Sequence, residues 1–243
     1  MGLTRVHRYA DLSELAVAAA RLLVQRIAEL QEEQDVVNVC LTHGSTAEAV
    51  YEVLAKSFSS AIDSKRIHFW WNSESFIPAT DPERNATRTL TLLGKVMDVP
   101  SAQIHPMPYN PGNADPDDAA FAYATELGDT TFDICLLGMG TDGHIAAIFP
   151  EQLERVLGTS RTVLGISDAP KPPAERITLT FNAINRSTEV WLIVAGTQKA
   201  AAVKKVLAGD KTLPAAHIDA VKRTAWFVDE KAASQLPYYE GYF

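Results

Sequence analysis

The sequence predicts a single α/β domain over residues 1–243, with a largely parallel central sheet flanked by helices. Three observations lead there. Short apolar runs alternate with helix-like segments, the order that parallel strands joined by crossover helices require. Several of those runs stop at loops rich in Gly, Ser, Thr and His, placed where the strands of an open sheet meet a ligand. Apolar residues make up 47% of the chain, enough for one sizeable core, and no linker, repeat or low-complexity tract divides it.

The elements follow in order. Asp11-Leu-Ser-Glu14 has the pattern of a capping box, so a helix is expected over 12–31. Residues 36–41 read as a strand, and Thr42-His43-Gly44-Ser45-Thr46 as the loop at its end. Ser45 and Glu48 repeat the capping pattern and open a helix to about Phe58. Residues 67–71 form the next strand, 72–78 a loop, and a helix runs from Asn85 or Ala86 to about Met97. Prolines hold 105–108 extended; 110–118 is a loop and 119–127 a helix. Residues 133–137 are a buried strand stopped by Gly138. Further strands are expected over 161–166, 176–181, 189–195 and 224–228, the third ending in the loop Gly196-Thr-Gln-Lys199, after which an alanine-rich helix runs to about Leu207. Helices are expected on both faces of the sheet.

Charge narrows the partners. A formal net charge of −8 argues against nucleic acid or an anionic membrane surface, but a small anionic substrate responds to the local field of its pocket. Glu14, Arg21 and Arg26 interrupt the alanine-rich segment near the start, so it is read as an amphipathic helix, not a signal or a membrane span. A cytoplasmic protein is expected, a monomer or weak homo-oligomer. Cys40 and Cys135 lie in apolar runs and read as reduced core cysteines. The sequons at Asn85 and Asn185 carry no weight without secretion. Six scattered histidines, with no pair at ligand spacing and no Cys cluster, predict no metal site.

The chemistry concentrates in Gly138-Met-Gly-Thr-Asp-Gly-His144. Its glycines allow a sharp turn and close approach of a ligand to the main chain. His144 then stands at the carboxyl end of a strand, flanked by Asp142, and reads as the acid/base, with the Gly138–Gly143 turn offering amides to a developing oxyanion. Gly44, Ser45 and Thr46, between a strand and a helix N-terminus, have the make-up of an anion site. Arg176 and Lys199 lie beside strand ends as candidate counter-charges. Two competing readings are weaker. Gly138 to Gly143 also matches the dinucleotide fingerprint, but Pro150 disturbs the helix that should follow and Asp168 lies beyond the usual distance. Ser45 lacks the Gly-x-Ser-x-Gly elbow of a serine hydrolase.

Taken together, these motifs resemble those of the 6-phosphogluconolactonases. The resemblance rests on Leu136 to His144 with Phe149-Pro150, Gly44-Ser-Thr46, His105 with Met107-Pro108, Arg176-Ile-Thr178, and Gly196 with Lys199-Ala200, and it runs to Trp226 and Asp229. It implies the fold of glucosamine-6-phosphate deaminases. It also implies hydrolysis of 6-phosphoglucono-1,5-lactone in the pentose phosphate pathway, with no cofactor and a sugar phosphate as partner. His144 and Asp142 would act on the lactone; Gly44, Ser45, Thr46, Glu74, Asn85, Gly140, Gly143, Arg176 and Lys199 would hold it. Two departures stand out. His43-Gly44-Ser45-Thr46-Ala47 replaces Gly-Gly-Ser-Thr-Pro, and Ser73-Glu74-Ser75 replaces Asp-Glu-Arg. Arg84 is a candidate local substitute for the missing Arg. Asp142-Gly-His-Ile145 also resembles the isomerase/deaminases, and the altered Ser73-Glu-Ser75 leaves open a non-catalytic sugar-phosphate sensor.

Overall fold

A computed structural model describes residues 2–57, 61–94 and 97–237. Its elements, in chain order, are β1 (Leu3–Tyr9), α1 (Leu12–Glu33), β2 (Val37–Leu41), α2 (Ser45–Ser57), β3 (Ile67–Trp71), β4 (Ser73–Ser75), α3 (Asn85–Leu93), β5 (Ile104–His105) and α4 (Pro116–Leu127), then β6 (Ile134–Leu137), α5 (Leu153–Leu157), β7 (Val163–Ile166), β8 (Arg176–Leu179), α6 (Phe181–Ile184), β9 (Glu189–Val194), α7 (Ala200–Leu207) and β10 (Arg223–Asp229). Seven strands form one sheet in the order β1-β10-β9-β6-β2-β3-β5, and every neighbouring pair is parallel. β2, β6 and β9 are almost wholly buried, which is why they read as continuous apolar runs.

The order of the strands places the site. From β1 at one edge the chain crosses to β2 in the middle and steps outward through β3 to β5. It then returns to β6, beside β2, and steps the other way through β9 to β10. The connections leaving β2 and β6 therefore diverge, and a crevice opens outside their carboxyl ends. At the opposite end, the buried Glu189 carboxylate is fully engaged. It accepts from Arg26 Nε at 2.9 Å, Trp191 Nε1 at 2.9 Å and Arg223 Nη2 at 2.5 Å, tying α1 to β9 and β10. A buried charge satisfied in this way is structural.

Several boundaries differ from the sequence reading. β1 was not expected; its outer residues are exposed, so no hydrophobic alternation marks it. Ser73–Ser75, read as loop, is a strand, and it pairs antiparallel with β8, which pairs antiparallel with β7, in a separate three-stranded sheet. The expected strand over 176–181 stops at Leu179, and Phe181 opens a short helix. α4 begins at Pro116, three residues early, because Asp115 caps it through Asp117 N at 2.8 Å and proline suits the first turn. α1 carries the expected cap, with Glu14 N donating to Asp11 Oδ1 at 2.9 Å. α3 stops at Leu93 rather than near Met97. Phe58, the expected end of α2, lies outside the described residues. Cys40 and Cys135 are free, buried and side by side in β2 and β6.

Candidate active site

A cavity of about 180 Å³ opens where the carboxyl ends of β2, β6 and β9 meet. Its walls include Thr42 to Ala47, Gly138 to Gly140, His144, Ala146, Ile193 to Ala195, Gln198 and Lys199. One contact locks the first two walls together, and a second ties Thr42 to α2. Gly138 N donates to Thr42 Oγ1 at 3.2 Å, and the Tyr51 hydroxyl donates to Thr42 O at 2.9 Å. α2 starts at Ser45, and the first amides of a helix have no acceptor within it. Glu48 does not reach back as a capping box requires; its carboxylate pairs with Arg88 Nε at 3.1 Å. The Ser45 end of α2 is thus left facing the cavity.

His144 and Asp142 form a dyad. Nδ1 of His144 lies 2.5 Å from Asp142 Oδ1, and the His144 amide reaches the same oxygen at 3.3 Å. A carboxylate only accepts, so Nδ1 carries the proton and Nε2 keeps its lone pair. Phe149 packs against the ring at 4.5 Å between centroids. Burial opposes the charge on Asp142, but the His144 hydrogen bond and the Lys171 ammonium, 3.6 Å from Oδ2, outweigh it and hold the carboxyl far below its usual range. The loop glycines make the dyad possible. A Cβ on Gly140 would lie 1.9 Å from His144 Nδ1, and Gly143 has φ +78° with Leu213 against it.

Three amides of the turn read as an oxyanion site are engaged within the fold. Gly138 N is spent on Thr42, Gly140 N donates to His144 O at 2.8 Å, and Gly143 N donates to Gly140 O at 3.2 Å. These three amides build the turn and do not face a ligand.

Gly44, Ser45, Thr46, Gly140, His144 and Lys199 come together at the cavity; Glu74, Arg84 and Asn85 do not line it. Glu74 is fully buried and caps α3, accepting from Asn85 N at 2.7 Å and Ala86 N at 3.0 Å. Asn85 Nδ2 donates to Ser73 O at 2.8 Å. Arg84, read as a substitute cation, is buried; its guanidinium donates to Met107 O at 2.6 Å and Pro108 O at 3.3 Å and lies 3.7 Å from Glu74. Its length carries it into the core behind α3 and away from the cavity. Arg176 is half-buried, and its charge acts on the His43 ring. Its Nη1 donates to Ser75 Oγ at 2.5 Å, across the β4–β8 register, so the serine at this position holds Arg176 in place.

Four residues of the site region were not singled out from the sequence. Lys171 reaches Asp142 from the β7–β8 connection. Asp229 accepts from Gly196 N at 2.9 Å and so positions the loop that carries Lys199. Arg88 and Arg176 both act electrostatically on the His43 ring. His43 and Asp229 had a signal, the first as a departure from the resembled motif and the second as the end of the match. Burial lowers the basicity of Lys199, with Lys171 acting in the same sense and Asp142 against it. Among the described residues no group of His, Cys, Asp or Glu is arranged to hold a metal ion, and no helix is long and apolar enough to cross a membrane.

Known proteins share this arrangement of sequence and fold. A 6-phosphogluconolactonase of Streptomyces coelicolor is 40% identical over 247 residues, covering 96% of this chain and 94% of the relative. One of Mycobacterium leprae is 38% identical over 244 residues, covering 96% and 98%. The crystal structure of 6-phosphogluconolactonase from Thermotoga maritima superposes with a TM-score of 0.83 at 29% identity, covering 93% of this chain and all of that one. The family described as glucosamine-6-phosphate isomerases/6-phosphogluconolactonase matches residues 10–226, and the chain belongs to that family.

Proposed function

We propose that the protein hydrolyses 6-phosphoglucono-1,5-lactone to 6-phosphogluconate, the lactonase step of the pentose phosphate pathway. One observation carries the reading: an Asp-oriented histidine and a helix N-terminus with Lys199 open on the same small cavity. Its support is near full-length identity to 6-phosphogluconolactonases. In this mechanism His144 Nε2 takes a proton from water as the water oxygen bonds to the lactone carbonyl carbon. The bond from that carbon to the ring oxygen then breaks, and His144 returns the proton to the ring oxygen. Asp142 stabilises the imidazolium in between. The phosphate rests on the first turn of α2 with Lys199 as counter-charge, and Arg176 adds positive field from behind.

The test is a coupled assay on freshly made lactone. The parent protein is expected to turn it over and to release no ammonia from glucosamine 6-phosphate. His144→Ala should lower kcat by about 10²–10⁴-fold with 6-phosphogluconate affinity little changed. A parent that binds 6-phosphogluconate without turnover would overturn the catalytic reading in favour of a sensor.

A further inference from the structure

His43 occupies the turn between β2 and α2 and lines the cavity together with His144 and Ser45. Its Nδ1 is buried without a hydrogen-bond partner, and so is Nε of the neighbouring Arg176. Buried polar atoms are ordinarily paired, so two orphans at one site are an exception that asks for a missing partner. Arg176 and Arg88 are the cations that act on this ring, and Arg88 is itself paired with Glu48 and Glu83. Burial, then Arg176, His144 and Arg88, press its pKa down to about 4, which keeps the imidazole neutral at neutral pH. A neutral imidazole under the influence of Arg176 has an N–H to give and no charge of its own to hold. The group that fits there is an acceptor carrying negative charge, beside the start of α2, which lines the same cavity.

We propose that His43 is a substrate-contacting residue that donates a hydrogen bond to the phosphate group of the bound sugar phosphate. The assignment rests on the lactonase reading for the sugar but not for the phosphate. It gives a role to the residue by which this chain departs from the Gly-Gly-Ser-Thr-Pro pattern, because a glycine there has no side chain to offer.

The experiment uses ¹⁵N-histidine protein and follows the imidazole nitrogens by NMR at neutral pH, with His43 assigned by the signal lost in His43→Asn. Saturating inorganic phosphate and 6-phosphogluconate should each shift the His43 nitrogens toward a hydrogen-bonded value, and gluconate should not. A shift with 6-phosphogluconate alone would mean a sugar contact and would overturn the phosphate assignment; no shift with either would overturn the contact itself. Calorimetry gives the second arm. His43→Ala should weaken 6-phosphogluconate binding about tenfold or more, and His43→Asn, which keeps a donor near the same place, should recover most of it. Equal losses in both variants would make His43 a structural filler. All of these readouts are of binding, so a protein with no lactonase activity would leave this test standing.

Discussion

Gly140 shows how narrowly the dyad is built. An added Cβ would lie 1.9 Å from His144 Nδ1 and 2.2 Å from Asp142 Oδ1, so in Gly140→Ala the two side chains must part. Misplacement of a catalytic group by about 1 Å costs on the order of 10²-fold in rate. Gly140→Ala is therefore expected to lose about that much kcat while the fold and 6-phosphogluconate affinity persist. Gly44 is the contrast. Its φ is +106° with nothing within 4 Å of an added Cβ, so Gly44→Ala should strain the backbone without touching the dyad. Circular dichroism and steady-state kinetics on the two variants decide the point, and equal kcat losses would refute it. Lys199 belongs to the other half of the cavity. Lys199→Ala should weaken 6-phosphogluconate binding by about 10–100-fold and slow the non-phosphorylated lactone far less. Equal losses on both ligands would mean that Lys199 does not read the phosphate.

α3 is held from outside its own sequence. No side chain at its N-cap position closes the first turn; the buried Glu74 carboxylate of β4 does, and Arg84 fixes Glu74 while bonding the carbonyls around Met107. Removing one member of such a buried pair costs about 3–5 kcal/mol, because the remaining charge is left uncompensated. Arg84→Ala should accordingly lower the denaturation midpoint strongly and leave KM for the lactone nearly unchanged. Placing Arg at position 75 should not rescue it, since Ser75 faces Arg176 across the strands and a second guanidinium there meets a like charge. A double-variant cycle on KM would expose any compensation between the two positions, and a large coupling would refute the structural role. Arg84 adjoins Asn85 in the chain, but which way a long side chain turns is decided by carbonyls more than twenty residues away.

Across the whole molecule, what was legible in the sequence is what local residue type controls. β2, β6 and β9 are buried on both faces, so their apolar runs announce them, and the glycine turn around His144 is written in consecutive residues. β1 owes its place to backbone pairing with β10, and β4 to three polar residues beside β8; neither leaves a hydrophobic pattern. Lys171 reaches Asp142 only because the small antiparallel sheet returns its connection to the cavity. Such tertiary placement also sets how the fold responds to acid. Burial lowers the pKa of His7, with Arg223 and Arg5 adding to it, and that of His68, with His105 adding to it. His43 is pressed furthest, from an ordinary 6.5 to about 4. In the unfolded chain each of these rings takes up its proton near 6.5, whereas the folded state resists it. Below that pH the unfolded state binds more protons, so stability falls as pH falls, and the His43 share of the loss stops growing near pH 4. Asp142, held low, adds its own loss only at more acid pH still. Thermal unfolding followed from pH 8 to 4 should therefore show a plateau and then a decline that begins near 6.5. His43→Asn should flatten that decline, because it removes the ring that resists protonation most. Parallel declines in the parent and the variant would show that His43 takes its proton as readily in the fold as out of it.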